Sequence, residues 1–359
     1  MLYHRPSEGT WLKSLARFYS MDTAVTVEEL VRRWGEVELN LTNLRVAHLE
    51  RFLFHTYEPE SFVEDDFFAR LDKWLFNVSD DTSKKLLFQL LPELTYIGPD
   101  EFKELYRVAY DSVVSRWLID IHGIDVLAAD CSGKIRESAK STWFCPVTDS
   151  MLINRFFKVN PIPASNSHRP DWRFLFEAFS VSHDLDALVK ALQSYIHKHQ
   201  IKQLVLLEDF VGGGSQTLNT IEFAASRFPG LRVLFVPLIV CPDGANAMST
   251  LASSYPDSLR CEAVMELPQS SFFTATNSPF ADRDRYTTQL RDLVTATYLQ
   301  ISDGKHPGDG KPYNPFGFPH DAPTGGMVVM HGNTPDNSLP LIHWRSSKWS
   351  PIFPRHNRE

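Results

Sequence analysis

The pattern of apolar and polar positions predicts helices through the first third of the chain. Apolar residues recur every three or four positions from residue 24 to about residue 122, as on one face of a helix. Thr26, followed three residues later by Glu29, matches a capping box at the start of the first helix. Two later helices are predicted at about residues 84–94 and 101–121. We therefore predict an all-helical N-terminal layer within residues 1–130.

The pattern changes after residue 131, where short apolar runs alternate with helical periodicity. Strands are predicted at residues 141–147, 203–207, 231–240 and 261–267. Helices are predicted between them at residues 184–199, 216–227 and 245–253. Apolar strands that alternate with helices are typical of a mostly parallel sheet covered on both faces. The fold class predicted for residues 131–359 is therefore α/β.

The C-terminal part of the chain departs from this alternation. A long amphipathic helix is predicted at residues 283–300, and the Gly- and Pro-rich residues 302–326 are expected to form an extended loop. This loop is longer than an inert connection usually is, so a lid or a segment ordered by a partner is a second interpretation. Two more apolar segments follow at residues 327–331 and 339–344.

The composition of the chain excludes some classes of protein. Hydrophobic residues make up 43% of the chain and charged residues 22%, which excludes a disordered chain. The formal net charge of −8 gives no general attraction to nucleic acid or to anionic lipid. Direct nucleic-acid binding would therefore need a local basic patch.

Cysteine spacing and hydropathy indicate the cellular compartment of the protein. The four cysteines form no CxxC pair, so free thiols in a reducing compartment are expected. The first residues lack the continuous apolar core of a secretion signal. The apolar run at residues 233–241 is much shorter than the ~20 residues that cross a bilayer. We expect a soluble protein of the cytoplasm that does not contact membranes.

Residues 205–217, VLLEDFVGGGSQT, combine an apolar strand, two acids and three glycines. Ligands of doubly wound sheets bind where a glycine-rich turn joins the carboxyl end of a strand to a helix. Glycine lets the backbone approach a ligand closely, and the N–H groups of the turn and of the following helix form an anion site. The predicted phosphate loop comprises Gly212, Gly213, Gly214, Ser215 and Gln216.

Several explanations compete for this motif. A Walker A loop needs a lysine after its glycines, and none is present. A dinucleotide fingerprint needs a glycine where Thr217 stands, and Glu208 and Asp209 would repel a pyrophosphate across the turn. A ribose 5-phosphate suits the pattern, because the acids can accept hydrogen bonds from its hydroxyls while the glycines hold its phosphate. An ordinary strand-to-helix turn with a solvated acidic pair is the structural alternative.

This stretch resembles the PRPP-binding motif of type I phosphoribosyltransferases. More closely, the chain resembles PRTase-CE, a phosphoribosyltransferase-like family of prokaryotic conflict and defence systems. Three stretches carry the resemblance: LLEDFVGGGSQ at 206–216, TWFCPVTDS at 142–150 and GGMVVMHGNTPDNSLPLIHW at 325–344. With the helical N-terminal layer, the similarity covers most of residues 25–355. It implies an α/β domain with a mostly parallel sheet of the phosphoribosyltransferase type.

The resemblance also implies roles for individual residues. Glu208 and Asp209 match the acidic pair and are the expected catalytic residues, and Asp209 is the expected contact to Mg²⁺. Asp149 and Ser150 match a turn that faces the pyrophosphate side of the site. The chain departs from the family at Gly213, where Ser or Thr is common, so a hydroxyl contact to phosphate is lost.

A turn near the C-terminus is a further candidate. Asn333, Pro335 and Asn337 lie between two apolar segments, where such residues commonly satisfy the backbone of a turn. The resemblance to the family extends through this turn, so a role in shaping the pocket or a partner surface is the second interpretation.

Two functional hypotheses follow from these observations. The first is a protein that binds PRPP or a nucleotide with Mg²⁺, and transfers or hydrolyses it, within a bacterial antiphage or conflict system that includes a partner protein. The second is a non-catalytic module of the same fold, which senses a nucleotide or docks a partner. No covalent cofactor is expected, and direct nucleic-acid binding is the weakest hypothesis.

Overall fold

The computed structural model describes residues 26–59, 66–172, 185–215, 217–307, 309, 313–319 and 322–356. The predicted capping box is confirmed, because the Thr26 hydroxyl accepts from the backbone N–H of Glu29 and the Glu29 carboxylate accepts from that of Thr26. The N-terminal helices are α1 Val27–Trp34, α2 Val37–Phe52, α3 Phe67–Leu75, α4 Asp81–Leu90, α5 Pro99–Val108 and α6 Ser115–His122. A π-helical segment, Ala109–Val114, joins α5 to α6.

The remaining strands and helices alternate as predicted, except that the strand predicted at residues 261–267 is two short strands and that the helix at Cys131–Lys140 was not predicted. The helices are α7 Cys131–Lys140, α8 Ile153–Val159, α9 Leu185–Lys198, α10 Leu218–Arg227, α11 Pro242–Ser254, α12 Asp284–Ile301 and α13 Pro340–His343. The strands are β1 Thr95–Ile97, β2 Thr142–Pro146, β3 Gln203–Val211, β4 Arg232–Val240, β5 Leu259–Cys261, β6 Met265–Glu266 and β7 Val328–Met330. No helix in the described ranges is both long enough and apolar enough to span a membrane.

The larger sheet is parallel throughout. Its strand order is β2-β3-β4-β5, and β6 pairs with the far end of β4. The connections from β2 to β3, from β3 to β4 and from β4 to β5 each pass through at least one helix, as parallel pairing of neighbouring strands requires. The predicted α/β fold with a mostly parallel sheet is confirmed. The strand β3 runs four residues further than predicted, so the acidic pair lies within the strand.

Both faces of this sheet are buried, which explains why its strands are almost continuously apolar. One face packs against α5, α6 and α8, and the β3 residues on that side are Val205 and Leu207. The other face packs against α9, α10 and α11, and the β3 residues there are Leu204 and Leu206. The four cysteines are free thiols, two of them buried in these layers.

A second sheet has two strands that are far apart in the chain. β1 pairs in parallel with β7, with Thr95 opposite Val328 and Ile97 opposite Met330. The N-terminal part therefore contains a strand as well as its helices, which helical periodicity did not predict. Three residues are too few to show a period of their own, and their hydrogen-bond partners lie more than 230 residues away.

The N-terminal helices share a core with the C-terminal segment. The indole N–H groups of Trp74 and Trp349 both donate to the backbone carbonyl of Leu341, at 2.7 and 2.9 Å. The hydroxyl of Tyr57 donates to the carbonyl of Pro354 at 2.8 Å. One hydrophobic cluster accordingly contains residues from α1 to β1 together with residues 273–353. The proposed division of the chain near residue 130 stays a prediction.

We predict that Trp74→Ala lowers the free energy of unfolding of the protein by about 3–5 kcal/mol. The substitution removes a fully buried indole and leaves one donor fewer on the Leu341 carbonyl. Urea denaturation followed by circular dichroism measures the change. Leu127→Ala is the control, because Leu127 is 92% exposed, and its effect should be below about 0.5 kcal/mol. Equal stability of the Trp74 variant and the wild type would contradict the shared core.

Candidate functional site

A buried carboxylate ties the loop after β2 to the carboxyl end of β3. Glu208 is 2% exposed, and one of its oxygens accepts a hydrogen bond of 2.9 Å from the backbone N–H of Thr148. The other oxygen accepts from the Thr148 hydroxyl. Burying a carboxylate is costly unless its oxygens have such partners. Glu208 therefore holds residues 147–150 against β3.

Asp209 has a different set of partners. The Ser150 hydroxyl donates to Oδ1 at 2.9 Å, and the backbone N–H of Phe210 donates to the same oxygen at 2.8 Å. No other residue in the described ranges donates a hydrogen bond to Oδ2. Burial raises the pKa of this carboxyl group, while the hydrogen bonds and the charge of Arg355 act in the opposite direction. Asp209 thus keeps one oxygen available as an acceptor.

Side chains from other elements lie close to Asp209. Burial raises the pKa of Tyr106 in α5 to about 12, and the charge of Asp209 adds to this shift. The charge of Arg155 in α8 acts to lower the pKa of Tyr106. The Arg155 guanidinium lies 3.1 Å from Nε2 of His331. Burial, together with Arg155, lowers the pKa of His331 to about 4, so this ring is neutral at pH 7 and accepts from Arg155. The surroundings of Asp209 therefore include the loop after β2, Tyr106 of α5 and Arg355 of the C-terminal segment.

Close packing dictates where the glycine loop needs glycine. A Cβ on Gly212 would lie 2.3 Å from Oδ1 of Asn337, and a Cβ on Gly244 would lie 2.3 Å from the carbonyl oxygen of Gly212. Gly214 has a φ of +86°, which L-residues rarely adopt. A Cβ on Gly213 would meet nothing within 4 Å. The loop is thus tightly packed at Gly212 and open at Gly213.

The backbone N–H groups at the tip of the loop are available to a ligand. Gly213, Gly214 and Ser215 donate no backbone hydrogen bond to any described residue. The carbonyl of Gly214 instead accepts from the N–H groups of Thr217 and Leu218, which starts α10. Gly213 and Ser215 are exposed. Successive free N–H groups beside a helix N-terminus are the arrangement that binds phosphate.

Of the three residues predicted in the C-terminal turn, Asn337 contacts the glycine loop. The amide nitrogen of Asn337 donates to the carbonyl of Phe318 and to the hydroxyl of Thr324, which fixes its side chain against Gly212. Asn333 lies elsewhere in the turn, and its Oδ1 accepts from the backbone N–H of His356. Pro335 is buried.

The same turn holds Arg355 near Asp209. The Arg355 guanidinium donates to the carbonyl of Thr334 at 2.8 Å and lies 3.7 Å from the carboxylate of Asp336. Its charge acts on the carboxyl group of Asp209. The turn therefore contributes a packing residue, Asn337, and its Thr334 carbonyl anchors Arg355 of the C-terminal tail, whose charge acts on Asp209.

The structure brings together some of the residues that the sequence singled out and leaves others apart. Glu208, Asp209 and Ser150 are joined by hydrogen bonds that run through Thr148, and Gly212, three residues after Asp209, packs against Asn337. Asp149 and Ser215 are exposed at the rim of the site, and Gln216 lies outside the described residues.

Sequence reasoning missed three residues of the site. Thr148 stands inside the quoted TWFCPVTDS stretch and could have been included as a hydroxyl next to Asp149. Tyr106 and Arg355 belong to no motif. Both reach the site through long-range packing, so no local signal identifies them.

The oxygen atoms of the site indicate how the expected Mg²⁺ could be held. No cluster of three His, Cys, Asp or Glu side chains that could hold a metal occurs in the part of the chain that is described. Mg²⁺ in nucleotide sites is commonly held by one or two carboxylates together with substrate phosphates. The available Oδ2 of Asp209 fits such an ion if the ligand completes the coordination.

Comparison with models of protein families shows to which family the chain belongs. The model of the PRTase-CE family matches residues 71–355, which is most of the chain. The chain belongs to the PRTase-CE family. It is therefore a phosphoribosyltransferase-like protein, as the three sequence stretches indicated. No curated protein and no solved structure matches it at a significant level.

Two glycines of this PRTase-CE protein give a matched test of the loop packing. We predict that Gly212→Ala lowers the free energy of unfolding by about 1–3 kcal/mol, because the new Cβ overlaps the Asn337 amide, which two hydrogen bonds hold in place. Gly213→Ala should change it by less than about 0.5 kcal/mol. Thermal unfolding of both variants checks this, and equal effects would contradict the predicted difference.

Replacement of Asp209 should stabilise this protein at neutral pH. Because its pKa is raised, the native state keeps a proton at pH values where the unfolded chain has lost it, so stability falls as pH rises through that range. Asp209→Asn should remove this decrease in stability, because the amide does not titrate. Its unfolding free energy should therefore exceed that of the wild type at pH 8.

The stabilisation should disappear below pH 3.8, the ordinary pKa of the group, where both states of the wild type are protonated. Urea denaturation across this pH range measures the effect. Asp257→Asn is the control, since it removes an exposed carboxylate before β5, at the other end of the strands. A less stable Asp209 variant at pH 8 would mean that the buried charge is stabilising.

Proposed function

We propose that this PRTase-CE protein binds a ligand that contains ribose 5-phosphate, namely PRPP or a nucleotide, at the carboxyl edge of its large sheet. The observation that carries the proposal is the pairing of two complementary groups. Ser150 and Phe210 both donate to Oδ1 of Asp209, which leaves Oδ2 as the acceptor for a ligand, and four residues further on the loop tip begins its run of free N–H donors. A ribose 5-phosphate offers hydroxyls to the first and a phosphate to the second.

The two acids would divide the work. Glu208 has both oxygens engaged by Thr148, so its role would be to position the loop that carries Asp149 and Ser150. Asp209 would accept hydrogen bonds from the ribose diol through Oδ2. Hydrogen bonds to a charged acceptor contribute more than neutral ones, which makes Asp209 the stronger contributor to ligand affinity.

In an active enzyme, the chemistry would be mainly electrostatic. The loop N–H groups would fix the 5-phosphate, and Asp209 would hold the sugar while positive charge develops at its anomeric carbon. A magnesium ion, held by Asp209 and by ligand oxygens, would supply positive charge to a departing pyrophosphate. The Asp149–Ser150 turn, which Ser150 joins to Asp209, would face that anion, and Arg155 of α8, which contacts His331, would be a nearby source of positive charge.

A second candidate is a non-catalytic sensor or partner-docking module with the same fold. The contact between Asn337 and Gly212 favours it, because the C-terminal turn is packed directly against the phosphate loop. A ligand bound at the loop would then change the packing of residues 333–337. The missing hydroxyl at Gly213 weakens phosphate binding but leaves the backbone donors in place.

The wider setting is part of the same proposal. The family resemblance supports a role in an antiphage or conflict system, in the cytoplasm and with a partner protein. Both candidate functions suit that setting, since either a released product or an occupied site could be the signal.

Calorimetry with PRPP and Mg²⁺ tests the proposed ligand site. The wild type should bind, and Asp209→Asn should weaken binding by about 10- to 100-fold, because a charge-assisted hydrogen bond is lost. Asp257→Asn should bind like the wild type. Failure to bind PRPP, ribose 5-phosphate and nucleotides would refute the ligand assignment. Unchanged affinity of the Asp209 variant would refute its assigned role.

A pyrophosphate-release assay separates the two candidate functions. Release by the wild type that Asp209→Asn abolishes would support the transferase. Binding without release would support the sensor, and Asn337→Ala should then alter the ligand affinity, because it removes the contact between turn and loop.

A further inference from the structure

The side chain of Tyr106 in α5 is buried, but its hydroxyl group is not paired. The residue is 4% exposed, and its hydroxyl makes no hydrogen bond to any described residue. Three other buried tyrosines, Tyr57, Tyr286 and Tyr298, each donate from the hydroxyl to a backbone carbonyl. Buried polar groups are usually paired in this way, because they have given up their hydrogen bonds to water. The Tyr106 hydroxyl departs from that pattern.

Access to solvent distinguishes this hydroxyl from that of Tyr110, four residues further along the chain. The Tyr110 oxygen also has no partner among the described residues, but it is sealed inside the protein. The Tyr106 oxygen is not sealed, so it reaches an open space. A molecule that enters this space can accept a hydrogen bond from Tyr106.

The open space belongs to the candidate site. Burial is the main cause of the raised pKa of Tyr106, and the charges of Asp209 and Arg155 act on it in opposite directions, so both side chains lie near the hydroxyl. Oδ2 of Asp209 accepts no hydrogen bond from a described residue. The guanidinium of Arg155 contacts only the neutral ring of His331 within the described ranges. Three groups with unused hydrogen-bonding capacity therefore come from β3, α5 and α8.

Packing fixes the position of the Tyr106 side chain. Its ring meets that of Phe156 edge to face, with the two centroids 6.3 Å apart. The amide of Asn160 donates to the backbone carbonyls of Tyr106 and Phe156, both at 3.0 Å, which ties α5 to α8. Helix α8 begins three residues after Ser150, the residue that donates to Asp209. The hydroxyl is thus held in place before a ligand arrives, which lowers the entropic cost of binding.

We propose that Tyr106 is a ligand-binding residue, whose hydroxyl donates a hydrogen bond to an oxygen of the phosphoribosyl ligand that Asp209 holds. The inference rests on the proposed function, because it assigns a further contact within the same site. Asp209 accepts hydrogen bonds, whereas Tyr106 and Arg155 donate them, so the ligand must offer hydroxyls and charged oxygens side by side. A sugar phosphate has both. A helix of the N-terminal layer thereby completes the site of the α/β domain.

Calorimetry of the full-length protein with PRPP and Mg²⁺ tests this contact. Tyr106→Phe keeps the ring and removes the hydroxyl, so the affinity should fall by about 10- to 100-fold, as expected for a hydrogen bond to a charged oxygen. Tyr110→Phe is the matched control, because it removes a hydroxyl that is sealed from the site, and it should bind like the wild type. Thermal unfolding should show neither variant to be less stable than the wild type, since neither loses a hydrogen bond to a described residue.

The outcomes separate this inference from the proposed function. If the wild type binds PRPP and Tyr106→Phe binds it equally well, the contact is overturned while the site at Asp209 stands. Equal losses of affinity in the Tyr106 and Tyr110 variants also overturn it. A wild type that binds neither PRPP, ribose 5-phosphate nor nucleotides refutes both proposals.

A double substitution tests whether the Tyr106 hydroxyl acts on the ligand directly. In an Asp209→Asn chain, adding Tyr106→Phe should lower the affinity for PRPP further, because the two side chains contact different ligand atoms. Loss of the Tyr106 effect in that chain would mean that the hydroxyl acts only through Asp209, and it would overturn the direct contact.

Discussion

The pairing of β1 with β7 is the constraint on which the rest of the architecture depends. Three residues that follow the N-terminal helices hydrogen-bond to three residues near the C-terminus. The side chains of this small sheet alternate between two cores: Ile97 and Val328 face the core of the large sheet, while Tyr96 and Val329 face the core of the N-terminal helices. One strand pair therefore joins both layers, because neighbouring residues of a strand point to opposite sides.

That constraint has a consequence for the candidate site. The chain that leaves β7 enters the turn at residues 331–338, which packs Asn337 against Gly212 and holds Arg355 near Asp209. The loop itself is built locally, but its surroundings come from both ends of the chain. Burial of the acidic pair is unfavourable for folding, and Thr148 and Ser150 offset part of that cost. Residues kept at such a cost are typical of functional sites.

Much of the fold could be predicted from the sequence, because the signals involved are local. The alternation of strands and helices, the capping box at Thr26 and the turn after β3 all follow from periodicity and from the conformational needs of short segments. The end of β3 was placed too early, at residue 207, since acidic residues rarely continue a buried strand. Here the strand continues because Thr148 satisfies Glu208, a contact between residues 60 positions apart.

By itself, the sequence determined the α/β class, the position of the glycine loop and the family to which the chain belongs. Each of these depends on residues that are close together in the chain. Only the tertiary structure decided that Glu208 is a buried positioning residue while Asp209 keeps an available oxygen. It also decided that Gly212, rather than Gly213, is the sterically required glycine. These differences arise from contacts between distant segments, and adjacent residues of one type cannot be told apart without them.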